Sequence, residues 1–299
     1  MKYALISGGT GFLGSELTTQ LQNQEYHVYI LTRSVENKVN TSTETYIDYT
    51  VQADSLPIFE VVINLAGESL FGYWTEQKKQ SILNSRLKIT NHLIQLMKEM
   101  NTKPKVFISA SAVGYYGMSE DLIFTERTTE AADDYLASVT EEWEEIAKAA
   151  NSFGIRTVYT RLGILLGNKG AFPMMKLPTQ LFAGGRIGNG EQWLSWIHIE
   201  DAVQLILFCI HNSTITGPIN VTAPNPKRNK DFMKTIAKTY RRPYWFHVPR
   251  LVMETTFGEM AHLITKGQYA FPQKAIDHGF SFKFPNLQEA IENIKDTKS

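Results

Sequence analysis

Residues 2–14, KYALISGGTGFLG, decide how the rest of the chain is read. Four apolar residues, Tyr3, Ala4, Leu5 and Ile6, run into Gly8, Gly11 and Gly14 at three-residue spacing. Phe12, Leu13, Leu17 and Leu21 then give the apolar stripe of a helix. Strand, glycine turn and helix in this order form the setting in which a dinucleotide's diphosphate is gripped. Glycine lets the backbone turn sharply and leaves no Cβ between it and the ligand. The first turn of the helix offers unpaired N–H groups and the positive end of its dipole to phosphate oxygens. An ordinary glycine turn is the alternative, and the flanking strand and helix argue against it. Gly8, Thr10, Gly11, Phe12, Leu13 and Gly14 are the expected contacts.

Outward from this turn, 27–32 (HVYILT) reads as a second strand, rich in β-branched and aromatic residues. Its end bears on which dinucleotide fits. A site for the unphosphorylated form usually places a carboxylate there for the ribose 2′-hydroxyl, and that charge repels a 2′-phosphate. This chain has Thr32, Arg33 and Ser34 instead. A guanidinium flanked by hydroxyls can fork onto phosphate oxygens, so NADP (NADPH) is favoured over NAD.

Residues 34–57 are polar, with room for a brief third strand at 46–49 but not for a crossover helix. A buried strand at 58–65 ends in Asn64, Leu65, Ala66 and Gly67, small enough for a ligand to lie on the backbone. Helical spacing over 75–100 puts Ile82, Ile89, Leu93 and Leu96 on one face, and Arg86 falls on it. A cation there needs a partner, either a cofactor phosphate or a carboxylate. A fifth strand at 105–108 runs into SASAVGYYG (109–117). The helix expected over 134–150 buries Leu136, Val139, Trp143 and Ile146 and turns Glu141, Glu142, Glu144 and Glu145 to solvent. A sixth strand at 155–162 carries Arg161, expected to pin a loop or a carboxylate. Residues 169–192 read as a mobile segment covering the cofactor, not as core. In WLSWIHIED (193–201), His198 is expected to be partly buried and Asp201 to cap or orient. A helix at 202–211 and a last strand at 218–222 follow. Beyond Pro226, helices at 230–240, 250–263 and 287–294 and an aromatic-rich stretch suggest a small lobe over the substrate side. The expected division is 1–223 and 224–299, with 168–195 as the covering segment.

Composition narrows the class. With 299 residues and 43% apolar content, the chain can bury a full core. Thirty lysines and arginines balance thirty aspartates and glutamates, so no basic field argues for nucleic acid or an anionic membrane. The single cysteine, Cys209, sits in an apolar run; it permits no internal disulfide and no thiolate cluster for zinc. No metal site is expected. Strand-like residues begin at once, with no signal-peptide pattern and no membrane-length apolar run, so a soluble cytoplasmic protein is expected.

Together these residues resemble the extended short-chain dehydrogenase/reductase superfamily. The narrower resemblance is to the NAD(P)-dependent epimerase/dehydratase family, in its epimerase-like subfamily with its own C-terminal domain. The marks are SGGTGFLG (7–14), TRS (32–34), NLAGE (64–68), SRL (85–87), SASAVGYYG (109–117), EEWE (141–144), WIHIED (196–201) and GQYAFPQKAIDHGFSFKFP (267–285), spread over almost the whole chain. The resemblance implies an α/β fold, a Rossmann-type doubly wound parallel sheet with a small, mostly helical C-terminal substrate lobe. It also implies that Leu65, Ala66, Gly67, Arg86, Ser109 and Leu165 join the cofactor contacts. In that superfamily a serine or threonine after the fifth strand polarises a substrate oxygen. A tyrosine in a YxxxK pair then moves the proton, its lysine lowering the phenol's pKa. Ser111 takes the first role by resemblance and Tyr135 the second. Where the lysine should stand, one turn on, this chain has Val139. Tyr115 and Tyr116 are alternatives for the tyrosine, and Lys78, Lys79 or Arg86 for the cation.

Two functions follow. The first is an NADP-dependent epimerase-like oxidoreductase acting on a small hydroxyl- or carbonyl-bearing substrate. The second is an NADP(H)-binding sensor that has lost turnover, favoured by Val139. A homodimer is compatible with either.

Overall fold

Ala4, Leu5 and Ile6 are wholly buried at the centre of a seven-stranded sheet in the computed structural model, which describes residues 1–297. The strands are β1 (Lys2–Ser7), β2 (Tyr26–Leu31), β3 (Glu44–Ile47), β4 (Val61–Asn64), β5 (Val106–Ala112), β6 (Arg156–Leu162) and β7 (Gly217–Val221). All pair in parallel, in the order 3-2-1-4-5-6-7. Parallel neighbours need crossovers, and strand residues alternate between faces, so each face needs a helical cover. On one face Ala4, Ile6, Val28 and Ile63 meet α1 (Phe12–Asn23) and α5 (Ile199–His211). On the other, Leu5, Val62 and Phe107 meet α2 (Glu76–Glu99) and α3 (Tyr135–Lys148). Strand order reverses beside β1, which opens a crevice at the carboxyl ends of β1 and β4. Cys209 is buried within the first face.

Several elements differ from the sequence expectation, each for a local reason. Strand β3 falls two residues early, because Asp48 Oδ1 accepts from the Thr50 N–H (2.9 Å) and closes a turn there. Strand β5 continues to Ala112, since Ser109, Ala110 and Ser111 pair with Tyr159, Thr160 and Arg161 of β6. The segment 169–192 is partly core, contrary to expectation. It forms α4 (Phe172–Gln180), whose Phe172 is 0% exposed among Leu166, Trp196, Phe232 and Leu287. The helix expected over 250–263 stops as α7 (Arg250–Phe257), where Gly258 takes φ 58° and breaks the helical path.

The C-terminal part does not stand apart. The helices α6 (Asn229–Thr239) and Leu287–Asp296 build the third cluster of buried residues with Trp196 and Phe172. Asp201 orients the returning chain by accepting from the N–H groups of Lys283 and Phe284, each at 2.8 Å. Phe280 and Phe282 then pack against the first face of the sheet. His198 is buried, its Nδ1 accepting from Glu200 N–H and its ring 4.1 Å from that of Phe284.

One polar chain crosses the second face. The Ser7 hydroxyl donates to Asn64 Oδ1 (2.6 Å), and Asn64 Nδ2 donates to Thr90 Oγ1 (2.8 Å). Trp143 Nε1 donates to the same Thr90 oxygen at 2.9 Å. Thr90→Val should strand two buried donors and cost about 2–4 kcal/mol, read from urea unfolding. Burial pushes the His198 imidazole down to about 4 from the ordinary 6.5. The unfolded chain therefore takes up the proton first as pH falls. This contribution to stability is whole above pH 6.5 and is lost progressively toward pH 4, to a total of about 3 kcal/mol. His198→Gln should flatten the slope of unfolding free energy over that interval.

Candidate functional site

The glycine turn is closed by its neighbours. Gly8 has φ +76°, and a Cβ there would lie 2.8 Å from the Ala66 nitrogen; at Gly14 it would lie 2.2 Å from the Gly8 carbonyl oxygen. The start of α1 thus packs on the turn, and the turn on the loop after β4. Gly11, which opens α1, has no side chain to cap it, so the first N–H groups of the helix, at Phe12 and Leu13, are left for a ligand. Thr10 and Gly11 are exposed, while Leu13 and Gly14 are buried. Phe12 abuts Gly167 and Gly170, which brings the strand Ile164–Leu166, with half-buried Leu165, against the turn.

At the end of β2, Arg33 and Ser34 are exposed and Thr32 Oγ1 donates to the Ser34 carbonyl (3.3 Å). Across the crevice mouth Glu68 is held below the usual carboxylate range. Its Lys78 hydrogen bond (2.6 Å) comes first, with Arg33 and Arg86 adding smaller effects. The turn, Thr32–Ser34 and the loop at Leu65, Ala66 and Gly67 follow the carboxyl ends of three adjacent strands. Ser109 is not in that crevice: it is 1% exposed and within β5, its carbonyl accepting from Thr160 Oγ1.

The catalytic candidates sit otherwise than the sequence suggests. Glu144, expected on a solvated face with Glu141, Glu142 and Glu145, is buried. Its carboxylate holds Arg161 through Nε and Nη2, both at 2.8 Å, with the side chains 10% and 3% exposed. The other three glutamates are exposed. Arg161 does pin a carboxylate, and its guanidinium lies 3.4 Å from the Tyr115 ring centroid. Ser111, 2% exposed, donates to Glu144 Oε1 at 2.6 Å. Its proton is therefore committed to a carboxylate, and it cannot polarise a substrate carbonyl without breaking that bond.

Tyr115 and Tyr116 are also engaged: Tyr115 donates to the Thr129 carbonyl and Tyr116 to Asn220 Oδ1. Burial pushes the Tyr116 phenol up to about 12. Tyr135 opens α3 just after its cap, Asp134, and donates to the Lys79 carbonyl at 2.7 Å. Burial raises its phenol, and Arg86 and Lys79 oppose that rise. Tyr135 lines a cavity of about 160 Å³ with Trp74, Met118, Glu259, His262 and Lys266. Tyr73, in the loop before α2, donates to the Thr256 carbonyl of α7, and Lys79, in the first turn of α2, pairs with Glu259 of the cavity wall at 2.6 Å. Sequence reasoning missed Glu259, His262 and Lys266, which come from a separate part of the chain with no spacing that links them to Tyr135.

A family model, the NAD dependent epimerase/dehydratase family, matches residues 4–222. The chain belongs to that family. Residues 248–294 match a domain of unknown function, DUF1731. This family member is 47% identical over 292 residues to the epimerase family protein YfhF of Bacillus subtilis, covering 97% of this chain and 96% of that one. Its structure is similar to that of the human epimerase family protein SDR39U1 with NADPH (TM-score 0.89, 28% identity, 98% and 99% covered). It is also similar to a nucleoside-diphosphate sugar epimerase from Corynebacterium glutamicum (TM-score 0.79, 31% identity), covering 97% of this chain and 57% of that one. An NAD(P) nucleotide is the cofactor this membership carries, and the glycine cradle and uncapped helix start fit its diphosphate. No described helix of the epimerase-family chain is long and apolar enough to cross a membrane.

Glu144→Ala should leave Arg161 buried without its counter-charge and cost about 3–5 kcal/mol in chemical denaturation. Ser111→Ala, which spares the ion pair, should cost about 1–2 kcal/mol.

Proposed function

We propose that this chain is an NADP-dependent, epimerase-like oxidoreductase acting on a small hydroxyl- or carbonyl-bearing substrate. The observation that carries the reading is the cradle formed by Gly8, Gly14 and Ala66 under an uncapped helix start, with Arg33 exposed at the end of β2. Phe12 and Leu13 N–H groups would take the diphosphate, and Arg33 with Ser34 the 2′-phosphate. Leu65, Ala66, Gly67 and Leu165 flank the path from there toward β4 and β5. A bound nicotinamide supplies or accepts the hydride. Tyr135 moves the proton, from a wall of the cavity that also holds His262 and Lys266. Ser111 contributes an acceptor oxygen, its hydroxyl hydrogen donated to Glu144. In this reading residues 1–223 bind the dinucleotide and 224–299 close the substrate side.

A second reading, an NADP(H)-binding sensor without turnover, is favoured by one observation: Val139 is buried where the family pattern has lysine. One set of measurements separates the two. With NADPH and a panel of small carbonyl compounds, the enzyme reading gives nicotinamide oxidation that Tyr135→Phe lowers at least about tenfold. Tight NADPH binding with no turnover on any of them selects the sensor. For cofactor choice, calorimetry on Arg33→Asp should show a far larger loss of affinity for NADPH than for NADH; equal losses would remove Arg33 from the argument.

A further inference from the structure

Val139 is 3% exposed, so α3 brings no cation of its own to the phenol one turn before it. Helix α2 brings two, Lys79 and Arg86, seven residues apart and facing α3. At one level the Tyr135 hydroxyl meets the Lys79 carbonyl (2.7 Å). Further along, the Arg86 guanidinium carbon lies 5.3 Å from the Trp143 ring centroid. Tyr135, Val139 and Trp143 stand at four-residue steps, on one stripe of α3.

The two cations are not equivalent. Lys79 Nζ is 2.6 Å from Glu259 and 3.4 Å from Glu76, so its charge is answered. Arg86 has no carboxylate within ion-pair distance among the described residues. Its Nη1 donates only to carbonyls, those of Ile82 (2.9 Å) and Glu68 (3.1 Å), and the rest of its head packs on Gly67. The bond to Ile82 fixes its height. A helical side chain leans toward the N-terminus, and this one folds back a full turn. The two helices run the same way here, with Lys79 beside Tyr135 and Arg86 beside Trp143. The Arg86 head thus lies on the Lys79 and Tyr135 side of its own backbone, while still beside the Trp143 ring.

We propose that Arg86, reaching across from α2, supplies the positive charge that the YxxxK pattern places on α3, and so positions Tyr135 as the residue that moves the proton. This rests on the oxidoreductase reading above. Among the influences on the Tyr135 phenol, burial is the largest; Arg86 opposes it most, Lys79, with Nζ 5.6 Å from the ring centroid, opposes it less, and Glu76 adds to the rise. A guanidinium keeps its charge at any working pH, so Arg86 acts on the phenol and does not itself exchange the proton.

The test follows Tyr135 itself, by carbon-13 NMR of ring-labelled tyrosine in the full chain. The signal absent from Tyr135→Phe is the one to follow, at a fixed alkaline pH where melting shows the protein folded. Arg86→Met should lower the phenolate-to-phenol ratio of Tyr135 by about tenfold. Arg86→Lys should recover much of it, and Val139→Lys added to Arg86→Met should restore it by returning a cation to α3. An unchanged ratio in folded Arg86→Met, or no recovery in the double variant, overturns the proposal. Calorimetry of the wild type with NADPH tests the underlying reading separately. Absence of heat there fails the cofactor, and an unmoved Tyr135 with NADPH bound fails Arg86 alone.

Discussion

The buried pair of Arg161 and Glu144 is the constraint on which the substrate side of the sheet depends. It joins β6 to α3, draws in the Ser111 hydroxyl from β5, and lies under the rings of Tyr115 and Tyr116. Three elements and a loop are thereby fixed around two charges out of reach of water. Such a pair adds little net stability over an apolar filling, because desolvation offsets most of the attraction. Its effect is on arrangement, since neither member can move without stranding the other. It also sets what Ser111 can be, an oxygen with its proton already placed.

The dinucleotide side obeys a different rule. Its shape comes from missing atoms, at Gly8 and Gly14, and from a helix start left without a cap. The charges there, Arg33, Lys78 and Glu68, are at the surface and open to salt. Along the carboxyl ends of the strands, one side is dry and the other is pre-shaped but wet. Helix α2 spans both, with its early turns at Tyr135 and Arg86 beneath the Gly67 loop.

The dinucleotide turn was legible because its signal is short-range: glycine spacing, a strand before and a helix after, all within a few turns of chain. The parallel sheet was legible for a similar reason, each strand being a short apolar run, although β3 and β5 shifted where local pairing decided their ends. Glu144 was not legible. It follows Trp143 at the edge of the apolar stripe, and helix periodicity cannot separate a boundary residue from a solvated one. The available hint was Arg161, a cation inside a buried strand that had to find a carboxylate. The cavity walls at Glu259, His262 and Lys266 carried no local signal, since only tertiary folding brings them to Tyr135. Phe172 was masked by the glycines and methionines around it.

The return of the chain past Asp201 has a consequence for how the molecule comes apart. Backbone N–H groups of Lys283 and Phe284 end on a side chain of α5, and the neighbouring aromatic rings seal the sheet. A nuclease-shortened gene or a clipped tail lacking the last few dozen residues would expose the flank of the amino-terminal layer as well as lose its own helices. The final segment is a strap whose rings share buried surface with the sheet, so the two ends of the chain depend on one packed layer.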